Sequence, residues 1–465
     1  MRHAVFVLLV LFAGLAWSAD VTLPDYERVE LDNGTVLLLS EKHEVPLIGM
    51  RAIVRGGSIA DPGGKEGLAG LLAAVIQKGA GSRDAAEFAT AAASVGGHLS
   101  VGANVESITV SADFLSRDAA LMIELVADVL QRPTLSDDEF AKERERAVGL
   151  IKAAKDADPS ALMRHYTNAF LFGDHPYGNP TIGSESSLEA LARDDLQQYY
   201  EDHFGGDRLI ISVVGDFDLA AMKARLTAVF GDWGPAAAAL PDVAAPAPVP
   251  GPGVLLVDKP GATQTYFWFG NVGVSIDYPR RAELDIANRV FGGTFTSMLM
   301  TELRVNSGLT YSARSVLDQH TQPGAVTIRS FTETSKTVEA IDLAISILTR
   351  LRDDGLEDER IASARALILG QFPTRLETAS SLANMFAFLE QHGLSRSYID
   401  GYGSTLEAAA AETIALTIGE VYPDPDSLVF VLIGDASAIR DDVAKYGPVT
   451  EVSITEPSFT PPPPQ

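Results

Sequence analysis

"GLAGLLAAVIQKGA", residues Gly67 to Ala80, is the stretch on which the reading of this chain turns. Leu68, Leu71, Leu72, Val75 and Ile76 recur at i, i+3, i+4, i+7 and i+8, the apolar stripe of an amphipathic helix. Gly70, Ala73 and Ala74 fall on another face of the same helix. None of these three has a side chain that could bind a ligand, carry a proton or attack a substrate. By itself, such a face indicates close packing of the helix against a neighbour.

The elements around this helix recur along the chain. "TVLLLSEK" and "IGMRAIVRGG" read as strands before it, "ESITVSADFL" as a strand after it, and "DDEFAKERERAVGLIKAAKDA" as a helix. "RLIISVVGDFD" (208–218) closes the unit with a buried-type strand and a Gly-Asp turn. In the second half "GVLLVDK" and "TYFWFGNVGV" precede helices over Ala282 to Arg304. The strands "LTYSARSVL" and "GAVTIRSF" follow, then helices through Glu390, then the closing "SLVFVLIGDAS". Gly215–Asp216 and Gly434–Asp435 lie 219 positions apart, which together with the shared order points to duplication. The expected class is α+β: two homologous α/β units, each a mainly antiparallel sheet with helices packed on it. They cover 20–233 and 254–449. The Pro/Ala-rich segment "GPAAAALPDVAAPAPVPGPG" (234–253) should form an extended, semi-rigid linker between them. A flexible Pro-rich tail is expected over 450–465.

Composition sets broader bounds. A chain of 465 residues with 46% hydrophobic and 21% charged content is globular and long enough for two or more domains. A net charge of −26 repels phosphate backbones and argues against a nucleic-acid partner. Residues 1–19 have Arg2, an apolar run from Ala4 to Trp17, and then small residues, the pattern of a secretory signal peptide cleaved after Ser18 or Ala19. The run falls short of the about 20 apolar residues that a membrane span wants. The chain has no cysteine, hence no disulfide and no lipid-attachment site, and it suits an oxidising compartment. The expected location is the periplasm, with full secretion as the runner-up. The eight histidines (His3, His43, His98, His165, His175, His203, His320 and His392) are scattered, with no pair at metal-ligand spacing on one helix turn.

The frame around Gly67 resembles the pitrilysin/insulinase metallopeptidases, which include the mitochondrial processing peptidases and carry an inverted zinc motif, H-x-x-E-H, on a helix. The family's local pattern is G-L-A-H-L-L-E-H-x-x-F-K-G-T. Gly67, Leu68, Ala69, Leu71, Leu72, Lys78 and Gly79 keep that frame. The two histidine ligands fall on Gly70 and Ala74, and the water-activating glutamate falls on Ala73. The third ligand, a glutamate on a later helix, falls at about Ile151. The resemblance therefore implies that this chain binds no zinc and no other cofactor, and that Ile151 fills part of the vacated space against Ala74. "LDNGTVLLLSEKHEVPLIGMRAIVRGGSIADP" and "FGDHPYGNPTIGSESSLEALARDDLQQYYEDHF" extend the resemblance over the first half, with His175 in a structural HPYG turn.

In the same family an Arg, and a Tyr seven residues later, reach from the C-terminal homologous domain toward the substrate carbonyl near the zinc. "TELRVNSGLTYSARS" supplies Arg304 and Tyr311 at that separation. Gly308 suits a helix stop, so that Arg304 closes a helix and Tyr311 begins a strand. The resemblance implies the zinc-lacking subunit of a two-chain peptidase. Its partner would be a homologous HxxEH-bearing subunit holding the zinc, and its substrate a peptide enclosed by four homologous domains. In zinc-bearing subunits that peptide adds to an edge strand. The counterpart here, Gly96 to Val110, has Ser100–Val101 where the family has Asn-Ala. The alternative is a non-catalytic assembly or peptide-binding protein of the same fold. A homodimer is the possible state when the chain is alone. An independent peptidase with an unconventional metal site finds no visible ligand set.

Overall fold

Two six-stranded sheets of matching topology form the frame of the molecule. The computed structural model describes residues 21–461, and the expected leader at 1–19 lies outside the described residues. The first half contributes β1 (Glu27–Glu30), β2 (Val36–Glu41), β3 (Leu47–Arg55), a small hairpin of β4 (Gly79–Ala80) and β5 (Arg83–Asp84), then β6 (His98–Ala103), β7 (Ser107–Leu115) and β8 (Leu209–Gly215). The second contributes β9 (Gly253–Asp258), β10 (Gln264–Val272), β11 (Ala313–Asp318), β12 (Ala325–Glu333), β13 (Val429–Gly434) and β14 (Val449–Ser453).

The first sheet runs β1-β2-β8-β3-β7-β6 and the second β14-β9-β13-β10-β12-β11. Five strands correspond one to one, and β2–β8 and β9–β13 are both parallel pairs inside otherwise mainly antiparallel sheets. Gly215 lies opposite Glu41, and Gly434 lies opposite Asp258. The repeated Gly-Asp turns thus occupy the same place in both sheets. They differ at one edge, where β1 is antiparallel to β2 while β14 is parallel to β9.

Both faces of each sheet are covered, and the halves exchange helices to do it. In β2, Leu37 and Leu39 point into one apolar core, and Val36 and Leu38 into another, as the two-residue period of a strand requires. The first core joins the Leu68–Val75 helix to Leu255, Val257, Val431 and Ile433 of the second sheet. The second core joins Val36, Leu38, Ile53 and Val214 to helices of the second half. The Met163–Phe172 helix of the first half packs on β10 and β13, and the Ala379–Gln391 helix of the second half packs on β3 and β8. A Cβ at Gly49 of β3 would stand 2.8 Å from the Ser380 Cα, so that crossing needs a glycine. Arg51, buried beside it, donates to Asn384 Oδ1 at 2.7 Å and pairs with Asp113 at 3.2 Å.

The second unit extends beyond residue 449, which corrects the flexible tail read from 450. Alternating Val449-Thr-Glu-Val452-Ser pairs with β9, and Ile454 and Phe459 are buried in the first core. Phe459 meets the Tyr166 ring edge-on at 4.9 Å, and the Lys155 ammonium donates to the Glu456 carbonyl at 2.5 Å. Only 462–465 of the proline run lies outside the described residues. The segment 234–252 has no regular secondary structure. It is tied down by the Ala236 N–H donating to Asp207 and by the bond between the His175 ring Nε2 and the Ala244 carbonyl at 2.9 Å.

Candidate functional site

The Leu68–Val75 helix starts after Gly67, whose φ of +91° suits glycine. No side chain caps it from the usual position; Asp61 does so from a preceding turn. The Gly67 and Ala69 N–H groups both donate to the Asp61 carboxylate at 2.9 Å. Burial pushes the Asp61 carboxyl up to about 8, against the opposing pull of those donors. The facing helix, Asp137–Ala157, is capped by Ser136 Oγ, with Asp137, Asp138 and Glu139 in its first turn and Lys155 in its last, so its charges complement its dipole.

These two helices bring together the four positions singled out in the sequence. Gly70 and Ala74 face Ile151 across a cleft of about 720 Å³, and Ala73 is buried behind them. Ile151 is itself buried, and an open cleft remains beside it, lined also by Ala147 and Ala154. The site does not fit zinc. None of the four residues has a donor atom, and a Cβ at Gly70 would lie 2.2 Å from the Thr181 carbonyl oxygen. The 181–183 loop thus occupies the place a ligand at position 70 would need. Glu143, a buried carboxylate on the cleft wall, is paired with Lys78 at 3.2 Å and Arg146 at 2.6 Å. Burial, reinforced by the Arg164 charge, lowers His165 on the cleft wall to about 4, so its ring is neutral at ordinary pH. Among the described residues no group of three or more His, Asp or Glu side chains could hold a metal ion.

Arg304 and Tyr311 do come together. The Arg304 guanidinium lies 4.2 Å from the centre of the Tyr311 ring and 4.9 Å from that of Phe295. They line a separate cleft of about 570 Å³ with Gly292, Gly293 and Arg314. The helices expected over Ala282–Arg304 are Arg281–Phe291 and a short one at Met298–Met300, which runs into a widened π-helical turn, Thr301–Asn306, that holds Arg304. Gly308, with φ +66°, ends it as the sequence suggested, and its N–H donates to the Arg304 carbonyl at 3.2 Å. Tyr311 precedes β11, which begins at Ala313, so it is a loop residue and not a strand residue. Tyr311 is 70% exposed and Phe295 60% exposed. Among the described residues no carboxylate pairs with Arg304, although most cations of this acidic chain have a carboxylate partner. Phe295, Arg314 and the Thr181 carbonyl were not found from the sequence. The "GGTF" run before a helix start is the only signal that marked any of them.

The edge strand expected within Gly96–Val110 is β6, which pairs with β7 alone. His175 is structural: its Nδ1 accepts from the Tyr177 N–H while its other nitrogen bonds the 234–252 segment.

Comparison with known proteins gives the same answer along most of the chain. Residues 36–185 match the family described as Insulinase (Peptidase family M16), and residues 190–368 match the Peptidase M16 inactive domain. An uncharacterized zinc protease of Mycobacterium leprae is 28% identical over 318 residues, covering 68% of this chain and 71% of that one. A protein of Helicobacter pylori described as the non-peptidase homolog YmxG is 24% identical over 388 residues, covering 82% and 87%. The crystal structure of a peptidase M16 inactive domain from Pseudomonas fluorescens superposes with a TM-score of 0.82 at 21% identity. It covers 88% of this chain and 98% of that one.

Proposed function

Because the chain belongs to the insulinase (M16) peptidase family yet lacks the residues of its zinc motif, we propose that it is the non-zinc subunit of a two-chain peptidase. In this reading Arg304 and Tyr311 are presented to a zinc site held by a homologous HxxEH-bearing partner. The observation that carries it is the paired state of these two side chains. A guanidinium without a carboxylate partner is stacked on an exposed phenol at the lip of a cleft, while the chain's own zinc position is closed by the Thr181 carbonyl. An exposed pair of this kind is of little use until another surface covers it. Once covered and dry, the guanidinium and the phenol each donate a hydrogen bond to an oxyanion developing on the substrate carbonyl. The zinc and the activated water belong to the partner, and no step passes through Gly70, Ala73, Ala74 or Ile151. The leader at 1–19 supports a periplasmic location for the complex.

The test is reconstitution with the homologous HxxEH subunit of the same organism. Alone, the chain should not cleave peptides; mixed, the pair should. Arg304→Ala should lower turnover of the mixture by about a hundredfold, the scale set by loss of one oxyanion donor. Tyr311→Phe should lower it as well. A mixture in which both variants match the parent removes these roles.

The second reading is a non-catalytic assembly or peptide-binding protein. It is favoured by the resemblance to the Helicobacter pylori protein described as a non-peptidase homolog. Purification from native extract separates the two: a zinc-bearing homologue supports the first, an unrelated envelope complex the second.

A further inference from the structure

We infer that the cleft between the Leu68–Val75 and Asp137–Ala157 helices is a receptor for a small, uncharged, apolar molecule. Its volume of about 720 Å³ lies within the range of small-molecule sites, roughly 300–1,000 Å³. Leu71, Ala74, Ala147, Ile151, Ala154 and Leu162 supply the wall. Every position at which the family would place a metal ligand or a base is apolar or closed here. Position 70 is closed by the Thr181 carbonyl, and beyond it the cleft remains between Ala74 and Ile151.

Two further features separate the cleft from an ordinary packing defect. First, it is held open by backbone. The 181–183 loop stands against the Leu68–Val75 helix so closely that a Cβ at Gly70 would strike the Thr181 carbonyl, and one at Gly67 would lie 2.4 Å from the Gly183 Cα. The loop and the Leu68–Val75 helix, which both line the cleft, are therefore fixed against each other. Second, large aliphatic groups stand in water on both sides of its opening. Leu150 on the long helix is 58% exposed, and Ile182 on the facing loop is 41% exposed. Left empty, these groups keep in water the apolar surface that a ligand would cover at about 25 cal/mol per Å².

Charge sets the ligand class. The ionic groups on the lining are Glu143, Arg146 and Asp158. Arg146 is already paired with Glu143, and Glu143 also with Lys78. No free cation is left to receive an anion, and the chain as a whole is strongly acidic. A cationic ligand would find only the exposed Asp158 at the rim. The inference does not depend on a partner subunit, so it stands or falls apart from the peptidase reading.

The test uses the full mature chain and the uncharged fluorophore N-phenyl-1-naphthylamine, titrated by fluorescence. Saturable binding at one site is expected, with an increase in the thermal midpoint as the ligand stabilises the folded state. Ala74→Phe and Ala154→Phe place a ring inside the cleft, and each should raise the dissociation constant about tenfold or more, equivalent to about 1.4 kcal/mol. Ala93→Phe, on an exposed helix face away from the cleft, should leave it unchanged. The sulfonated analogue 1-anilinonaphthalene-8-sulfonate should bind more weakly than the neutral probe. Circular dichroism confirms that each variant is folded. No saturable binding by the parent, or equal binding by the parent and both folded cleft variants, overturns the inference. Equal affinity for the neutral and sulfonated probes overturns the ligand class.

Discussion

Gly70→Ala adds one methyl group to a helix, a change that ordinarily stabilises by about 0.5–1 kcal/mol because glycine is a poor helix former. Here the sign should reverse. The new Cβ would lie 2.2 Å from the Thr181 carbonyl oxygen, well inside van der Waals contact. The obstacle is backbone in a loop pinned by its own packing, so relief requires shifting that loop away from the helix. Overpacking of this kind costs about 1–3 kcal/mol, which leaves a net loss of up to about 2.5 kcal/mol after the helix gain. Gly149→Ala is the matched control. It too is a helical glycine, in the Asp137–Ala157 helix, and its Cβ would meet nothing within 4 Å. It should stabilise by about 0.5–1 kcal/mol. Urea unfolding of parent and both variants, read at equal m-values, gives the comparison. If Gly70→Ala stabilises the chain as much as Gly149→Ala does, the Thr181 carbonyl does not close the former ligand position, and the geometric argument against zinc fails.

Three other outcomes follow from specific contacts. Phe459→Ala should cost about 3–5 kcal/mol in chemical unfolding, because its ring is buried against Tyr166 in a core shared by both halves; a surface-like effect would restore the flexible tail read from 450. His165 is neutral in the folded chain down to about 4 but protonates near 6.5 when unfolded, so stability should fall as pH drops from 6.5 toward 4. The loss is on the order of 3 kcal/mol, and His165→Gln should flatten that part of the pH profile. The reconstituted peptidase should lose about a hundredfold in turnover with Arg304→Ala while the variant alone unfolds near the parent's urea midpoint, as suits a half-buried residue that stacks only on exposed rings and acts in the assembly.

Much of the fold was legible because it depends on local signals. The 137–157 segment reads as a helix in the sequence, and the structure reproduces both of its ends. The repeated Gly-Asp turns located both closing strands, and the sheets bear out the duplication. What could not be read is what those elements pack against. The amphipathic Ala379–Gln391 helix shows that it buries a face, but nothing local shows that the face lies on the first half's sheet. The strand at 449–453 has only five residues beside a proline run, too short for its alternation to stand out. At the site, the family resemblance singled out Gly70, Ala73, Ala74 and Ile151, and their residue types showed that they have no side-chain ligand atom. The open cleft was not legible, because the void depends on the distance between two helices and on a loop carbonyl remote in sequence. Arg304 and Tyr311 were found through the resemblance, by the family's seven-residue separation. Phe295, which completes the stack, is an isolated aromatic with no signal beyond the "GGTF" run that contains it.

The most direct measurement is the zinc content of the purified mature chain after equilibration with excess zinc and removal of unbound metal, read by elemental mass spectrometry. Clearly substoichiometric zinc is the expected result, unchanged when His165 is replaced. One zinc ion firmly retained per chain, and lost on substitution of side chains lining the 70–151 cleft, would contradict it.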